Sequence, residues 1–180
     1  MGKEDFVDID FLLIRNMKKG DEKAFDEFVR KYYGDILKYC GYHCFDLEYA
    51  EDLAQETFVH FFAKLSEYRS IGKTKNYLYT IAGNLCKNYY KKKKETLLED
   101  EELKEQAGVT VTETSKLLIK IEVEEALEKL SEGLREVVVL YYFQELKLSE
   151  IADILKIGLP LVKYRIKRAK TLLKEYLEQE

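Results

Sequence analysis

The sequence predicts an all-α protein made of two small helical domains. The chain has 180 residues with a single Pro and 9 Gly, and 46% of its residues are hydrophobic, which suits a globular core. Turn dipeptides are nearly absent, and this favours long helices over a many-stranded β architecture. One acidic stretch divides the chain, so we predict a domain over 1–94, a linker over 95–116 and a second domain over 117–180.

The clearest helical pattern lies in the first domain. Its apolar residues recur at offsets of 0, 3, 4, 8, 11, 12 and 15, namely Ala50, Leu53, Ala54, Phe58, Phe61, Phe62 and Leu65. The opposite face carries Asp52, Gln55, Glu56 and Val59. That face is either a solvated surface or a surface that docks on another protein.

A second pattern follows a polar, loop-like segment over 66–75. Tyr77, Asn84 and Asn88 lie in a helical stretch that ends in the run Lys91–Lys94. Aromatic rings stack on unpaired bases, amides bond their edges and lysines follow the phosphates, so the segment suits single-stranded nucleic acid. The alternative is that tyrosines fill the core and lysines stabilise a helix end.

Beyond this run the charge reverses. Residues 95–105 carry six acids against one base, and residues 99–112 show no apolar periodicity, which predicts a linker.

The second domain ends in a basic helix. Residues 161–174 hold six bases and no acid, and they follow a short helical pattern over 148–155 and a turn that contains Gly158 and Pro160. We expect Pro160 at the first position of the last helix. This order is typical of a helix-turn-helix, whose second helix enters the major groove. A solvated amphipathic helix is the alternative interpretation.

Several function classes are excluded or disfavoured. The longest wholly apolar run, Val137–Phe143, is too short to span a membrane. Three cysteines favour a reducing cytoplasm. The segment Cys40–Cys44, which includes His43, suggests zinc ligands, but a fourth ligand is missing nearby and His60 and Cys86 are only distant candidates, so we expect buried thiols and no metal. No paired catalytic set or phosphate loop is present, and the sequence therefore predicts neither an enzyme nor a cofactor.

These segments together resemble the bacterial sigma-70 family, specifically its small extracytoplasmic-function class. The resemblance covers 20–94 and 117–177, and its collinear motifs are Glu51–Phe58, Tyr77–Asn84, Leu134–Val138, Glu150–Ala152 and Val162–Ala169. It implies a factor that binds core RNA polymerase and directs initiation at promoters, with region 2 and region 4 domains.

The resemblance also implies which residues bind the polymerase. Asp52, Gln55, Glu56 and Val59 would contact the β′ clamp helices, and the β flap is a further implied partner. The acidic linker resembles the connector that threads towards the active centre. A cytoplasmic location, possible retention near the membrane and an anti-sigma partner follow from the same resemblance.

Two groups of residues would contact promoter DNA. The −10 element would be melted and captured by Tyr77, Asn84, Lys87 and Asn88; the family usually has Trp where this chain has Tyr77, and a tyrosine ring can still stack on a base. The −35 element would be read in the major groove by Lys163, Tyr164, Arg165, Lys167, Arg168 and Lys170.

Two other function classes compete with this interpretation. A free-standing helix-turn-helix regulator would use 117–180 for DNA and 1–94 as a sensor or dimerisation domain. It would have no need for the face around Asp52 or for the aromatic and asparagine segment. A pure interaction protein would leave the basic helix without a purpose.

Overall fold

The fold consists of helices joined by short connections. The computed structural model describes residues 9–69, 72–99 and 123–178. The first four helices are α1 Ile9–Met17, α2 Glu22–Cys44, α3 Leu47–Ala63 and α4 Thr74–Glu99. They are followed by α5 over 123–128, α6 Glu132–Val138 with a π-helical turn at Val139–Phe143, α7 Leu148–Leu155 and α8 Leu159–Leu177. No strand occurs in these residues, and the all-α prediction is confirmed.

Aromatic packing holds α2, α3 and α4 together. The rings of Phe28 on α2 and Phe61 on α3 stack with centroids 4.8 Å apart, and both side chains are fully buried. Asp21 and Asp46 begin α2 and α3 by accepting hydrogen bonds from the backbone N–H groups of Lys23 and Tyr49. The two caps fix where the helices start, and the stacked rings fix how they pack.

The last helix pair forms the predicted helix-turn-helix. The Glu150 carboxylate accepts a hydrogen bond from the Lys147 N–H and so caps α7, although Lys147 itself offers no capping oxygen. Lys156 has a left-handed backbone at the end of α7. Helix α8 begins at Leu159, so Pro160 occupies the second helical position and not the first as predicted. Its missing N–H is still harmless in the first turn.

Helix α4 is longer than the sequence indicated. We expected the helix to end near Lys94, where the predicted linker begins, but it continues to Glu99. The acidic side chains that follow the lysines do not end the helix, because Glu and Leu are good helix formers. The remainder of the predicted linker, from residue 100 onwards, lies outside the described residues.

The two halves of the chain are in contact. Helices α4 and α7 pack against each other, and the π-helical turn packs on α2. The Tyr42 and Phe143 ring centroids lie 4.2 Å apart, and the Tyr79 hydroxyl donates a 2.6 Å hydrogen bond to Gln144 Oε1. We call this contact the seam: it joins α2 and α4 to α6, the π-helical turn and α7.

A buried histidine lies beside the seam. His43 is only 3% exposed, its ring lies 4.5 Å from that of Tyr39, and its Nε2 atom has no hydrogen-bond partner among the described residues. Burial, with smaller contributions from Arg135 and Lys87, lowers the pKa of His43 to about 3. The imidazole is therefore neutral in the folded protein.

We predict that His43 makes the protein sensitive to acid. Between its unfolded pKa of 6.5 and its folded pKa of about 3, only the unfolded chain is protonated, so the free energy of unfolding decreases as the pH is lowered. Replacing His43→Gln should reduce the stability lost between pH 7 and pH 5 by about 2 kcal/mol, measured by urea denaturation. Parallel curves for the wild type and His43→Gln would contradict the assignment.

Candidate functional site

The outer face of α3 is polar and open to solvent. Leu53, Ala54 and Phe58 are buried on its inner side, as the apolar spacing predicted. The four side chains predicted to bind polymerase are all exposed: Asp52, Gln55, Glu56 and Val59. Val59 is an apolar side chain with 64% exposure in the middle of this acidic face. The face therefore combines two carboxylates, one amide and one exposed apolar side chain.

An open groove separates this face from α4. Asp52 and Glu56 line one wall, and Asn88, Lys91 and Lys92 line the other. The Tyr49 and Tyr89 rings meet nearby with centroids 4.8 Å apart. The acidic and basic walls are thus parallel surfaces of opposite charge on one domain.

Helix α4 carries the residues predicted to bind the single-stranded −10 element. Asn84, Lys87 and Asn88 are exposed, and Lys87 and Asn88 follow Asn84 by three and four residues, so both are neighbours of Asn84 on one face of the helix. Lys87 Nζ lies 3.2 Å from Glu136 Oε1 on α6, across the seam. Tyr77 lies two turns before Asn84 on the same helix, and its side chain is half-buried.

Tyr77 belongs to an aromatic group that the sequence analysis did not identify in full. Its ring stacks on Tyr68 with centroids 5.1 Å apart and an interplanar angle of 22°, and Phe61 lies beneath both rings at 6.1 Å and 5.2 Å. Lys18 Nζ donates to the Tyr68 carbonyl at 2.6 Å. Tyr68 thus holds one side of the Tyr77 ring. In the sequence, the only indication of this aromatic group was the presence of Tyr68 within the polar segment 66–75.

Helix α8 displays a row of basic side chains. Val162 and Ala169 are buried against the domain, and the exposed members of the predicted −35 set are Lys163, Tyr164, Lys167, Arg168 and Lys170. Arg165 differs from the expectation because its guanidinium lies against Gly133 on α6. The side chain is half-buried there and does not extend into solvent with the others.

The cysteines form no reactive or metal-binding site in the described residues. The cysteines Cys40, Cys44 and Cys86 are free and buried, and hydrogen bonding with Cys40 together with burial raises the pKa of the Cys86 thiol. A raised pKa keeps a thiol protonated and unreactive. Within the described residues, no group of three or more His, Cys, Asp or Glu side chains is arranged to hold a metal ion. In the same part of the chain, no helix combines the length and apolar character of a membrane span.

Comparisons with known proteins match both halves of the chain. Residues 28–96 match the family described as Sigma-70 region 2, and residues 120–173 match Sigma-70, region 4. The chain is 31% identical over 176 residues to the "ECF RNA polymerase sigma factor SigW" of Bacillus subtilis, an alignment that covers 91% of this chain and 94% of that protein. The chain belongs to the sigma-70 family, in its extracytoplasmic-function group.

Other relatives agree with this assignment. The "RNA polymerase sigma-H factor" of Pseudomonas aeruginosa is 28% identical over 92% of each chain. In fold, the chain is similar to CnrH, solved in complex with the cytosolic domain of CnrY, at a TM-score of 0.74 and 22% identity over 96% of this chain and 99% of that one. It is similar to the same degree to the sigma factor RpoE, solved with the anti-sigma factor NepR from Bartonella quintana, over 87% of this chain and 98% of that one.

Family membership decides the biochemical class. As a sigma factor, the chain binds core RNA polymerase and directs transcription initiation at promoters, and it is not an enzyme. A free-standing helix-turn-helix regulator is not favoured, because region 2 of the family matches the domain that such a regulator would use as a sensor.

We predict that Tyr68 supports promoter melting through Tyr77. Stacked aromatic pairs contribute about 1 kcal/mol beyond area burial, so Tyr68→Ala should reduce strand opening about fivefold, measured by permanganate reactivity of unpaired thymines. Tyr68→Phe keeps the ring and should behave as the wild type.

A promoter with a preformed bubble distinguishes the loss of Tyr77 positioning from general damage to the protein. Initiation by Tyr68→Ala should recover on a promoter with a preformed bubble. The control Tyr33→Ala removes a ring that packs on Phe58 at 6.2 Å, away from Tyr77, and should open duplex promoters normally. An equal loss for Tyr68→Ala on both templates would refute the role.

Proposed function

We propose that this sigma factor works through three surfaces, each assigned to a row of exposed side chains. The polymerase surface is the outer face of α3, the −10 surface is the face of α4 with Tyr77 at its start, and the −35 surface is the basic row of α8. The observation that carries this proposal is the exposure of these rows on helices whose opposite sides form the core. Residues 1–94 would then serve polymerase and the −10 element, and residues 117–180 the −35 element.

The polymerase surface consists of Asp52, Gln55, Glu56 and Val59. Exposed carboxylates steer a basic partner and fix its register, while Val59 supplies apolar area that is removed from water on docking. We assign this surface to the β′ clamp helices. The β flap would occupy the open apolar groove of the second domain, which is lined by Val123, Leu127, Val138, Phe143, Leu173 and Leu177.

The −10 surface combines stacking with hydrogen bonding. Tyr77 offers a ring face to an unpaired base, Asn84 and Asn88 offer amide donors and acceptors, and Lys87 offers a positive charge to a phosphate. Their common location on α4 supports contact with one strand and not with a duplex. The neighbouring Lys91 and Lys92 extend the positive charge along the helix.

The −35 surface is the exposed row of α8. Residues near the start of a recognition helix contact base edges, and later ones contact phosphates. Lys163, Tyr164 and Lys167 lie nearer the start of α8 and are suited to base edges, whereas Arg168 and Lys170 are suited to the DNA backbone. Arg165 would hold α8 against α6 through its contact near Gly133 and would turn outwards only on binding DNA.

The partners and location follow from the same assignment. Relatives in the comparison are solved with CnrY and with the anti-sigma factor NepR. An anti-sigma protein is therefore a partner that we propose for this chain too. We propose that the sigma factor acts in the cytoplasm with core polymerase. Its retention near a membrane would depend on the anti-sigma protein.

Run-off transcription tests the polymerase surface. Core polymerase with the wild-type chain should produce promoter-specific transcripts from genomic templates, and core alone should not. The double change Asp52→Arg with Gln55→Ala should reverse a charge at the docking surface and lower core affinity by at least tenfold, about 1.4 kcal/mol, measured by fluorescence anisotropy. Glu27→Arg, an exposed charge reversal on α2, is the matched control. Unchanged core affinity of the double variant would remove these residues from the surface.

Two lysines on α8 should give different signatures in binding to −35 duplexes. Lys163→Ala should relax preference at one base pair by about 1–3 kcal/mol, because Lys163 is the fifth residue of α8 and lies near the start of the recognition helix. Lys170→Ala should weaken binding to all sequences equally. It should also reduce the slope of the logarithm of the binding constant against the logarithm of salt concentration by about one. Binding of each variant to a library of duplexes at several salt concentrations distinguishes the two roles. Identical effects of the two substitutions would contradict the division.

A further inference from the structure

The first turn of α8 is apolar, and most of it is open to solvent. Residues 159–162 are Leu, Pro, Leu and Val, and of these Val162 is buried. Leu159 is 38% exposed and Leu161 is 41% exposed. In a helix-turn-helix, side chains near the start of the second helix contact base edges in the major groove. Apolar surface therefore lies where the DNA sequence is read, and the basic row of the −35 surface does not explain its presence.

Leu161 is the member of this turn that shares the exposed face of α8. It precedes Tyr164 by three residues and Arg168 by seven, and both of these side chains are exposed. Leu159 instead precedes Val162 by three residues, and Val162 is fully buried. Leu159 therefore lies towards the core side of the helix, whereas Leu161 lies among the residues of the −35 surface.

The position of Arg165 leaves Leu161 uncovered. Long side chains in a helix lie back over the preceding turn, so the side chain at position 165 could cover the one at position 161. The Arg165 guanidinium lies against α6 instead, where a Cβ atom added to Gly133 would be 3.3 Å from its Cζ atom. Tyr164, which is 62% exposed, is the neighbour of Leu161 one turn along the helix. We call these two side chains, Leu161 and Tyr164, the apolar pair.

The backbone of the same turn is poorly suited to a phosphate. Pro160 has no N–H group, and the N–H groups of Leu161 and Val162 both donate to the Gly158 carbonyl, at 3.0 Å and 3.2 Å. DNA phosphates bind free N–H groups at a helix start, or hydroxyl and charged side chains. Residues 160–162 offer neither, so an apolar group of the DNA is the partner that fits this turn.

The major groove displays one such group, the 5-methyl group of thymine. Apolar side chains recognise it by direct contact, without a hydrogen bond. The charge around the apolar pair also fits duplex DNA, because Lys163, Lys167 and Lys170 are exposed on the same helix and attract phosphates. A thymine in a duplex therefore matches both the apolar pair and its basic surroundings.

We propose that Leu161, together with the ring of Tyr164, reads one thymine of the −35 element through its 5-methyl group. The contact removes the methyl group and the leucine side chain from water, and it selects thymine over cytosine, whose ring carries no methyl group. Leu161 is thus a specificity-determining residue. This inference rests on the −35 surface proposed above and adds the chemistry by which that surface selects one base.

Deoxyuridine tests the contact, because its base differs from thymine only by the missing methyl group. The tightest sequence for the wild-type holoenzyme is selected from a library of −35 duplexes, and each of its thymidines is replaced singly by deoxyuridine. One replacement should weaken binding about fourfold, which corresponds to about 0.8 kcal/mol for one buried methyl-sized group. Leu161→Asn and Tyr164→Asn each remove part of the apolar surface and should reduce this difference to about twofold or less. The double variant should bind both duplexes equally.

Two control variants isolate the apolar pair. Tyr164→Phe keeps the ring and should retain the fourfold difference, whatever its overall affinity. Leu47→Asn makes the same change as Leu161→Asn at a leucine that is 71% exposed in the first turn of α3, and it should also retain the difference. Circular dichroism verifies that each variant keeps its helices.

The outcomes separate this inference from the −35 surface itself. The methyl contact is overturned if the wild type responds to no deoxyuridine replacement, or if the double variant responds as the wild type does. A wild type that ignores deoxyuridine, with a double variant that loses affinity for core polymerase, would assign the apolar pair to a protein contact instead. In each case Lys170→Ala decides the −35 surface independently: weaker duplex binding retains the basic row in it, and unchanged binding removes that row.

Discussion

The buried guanidinium of Arg135 is the interaction on which the second domain and the seam depend. It donates to the backbone carbonyls of Leu127 and Glu128, the last two residues of α5, and of Leu130 just beyond its end. It also donates to the Tyr90 hydroxyl and lies 4.9 Å over the ring of Phe45. Only the planar, multi-donor guanidinium could satisfy these groups together. A single side chain thus ends α5, orients α6 and contacts α2 and α4.

The distribution of charge over the surface explains why a small net charge of −4 is compatible with a DNA-binding protein. Acids and bases are segregated onto separate faces, so each partner meets a surface of one sign. The acidic face of α3 and the basic rows of α4 and α8 lie on different helices, and electrostatic steering depends on the local field more than on the total. The seam uses the same segregation internally, because Glu136 and Asp153 of the second half form ion pairs with Lys87 and Lys73 of the first half.

Local periodicity accounts for what could be predicted from the sequence. Helices α3 and α8 each bury one stripe, so apolar spacing identified their buried side and, by exclusion, nearly every exposed residue of the candidate surfaces. The seam could not be predicted in this way, since Tyr39 and Glu136 are separated by 97 positions and Glu136 interrupts no apolar pattern. For the same reason Arg165 was placed outwards, although its position depends on the close approach of Gly133. Local spacing contains no information about such pairings.

The buried hydroxyl groups make the seam specific. Burial raises the pKa of Tyr39 and Tyr79, and it raises that of Tyr90 to about 12, so all three remain neutral donors at any physiological pH. The hydrogen bond from Tyr79 to the Gln144 amide joins two neutral groups and contributes about 1 kcal/mol, whereas Tyr39 donates to the Glu136 carboxyl group and Tyr90 accepts from Arg135. Their directionality fixes how the second half of the chain is seated on α2 and α4.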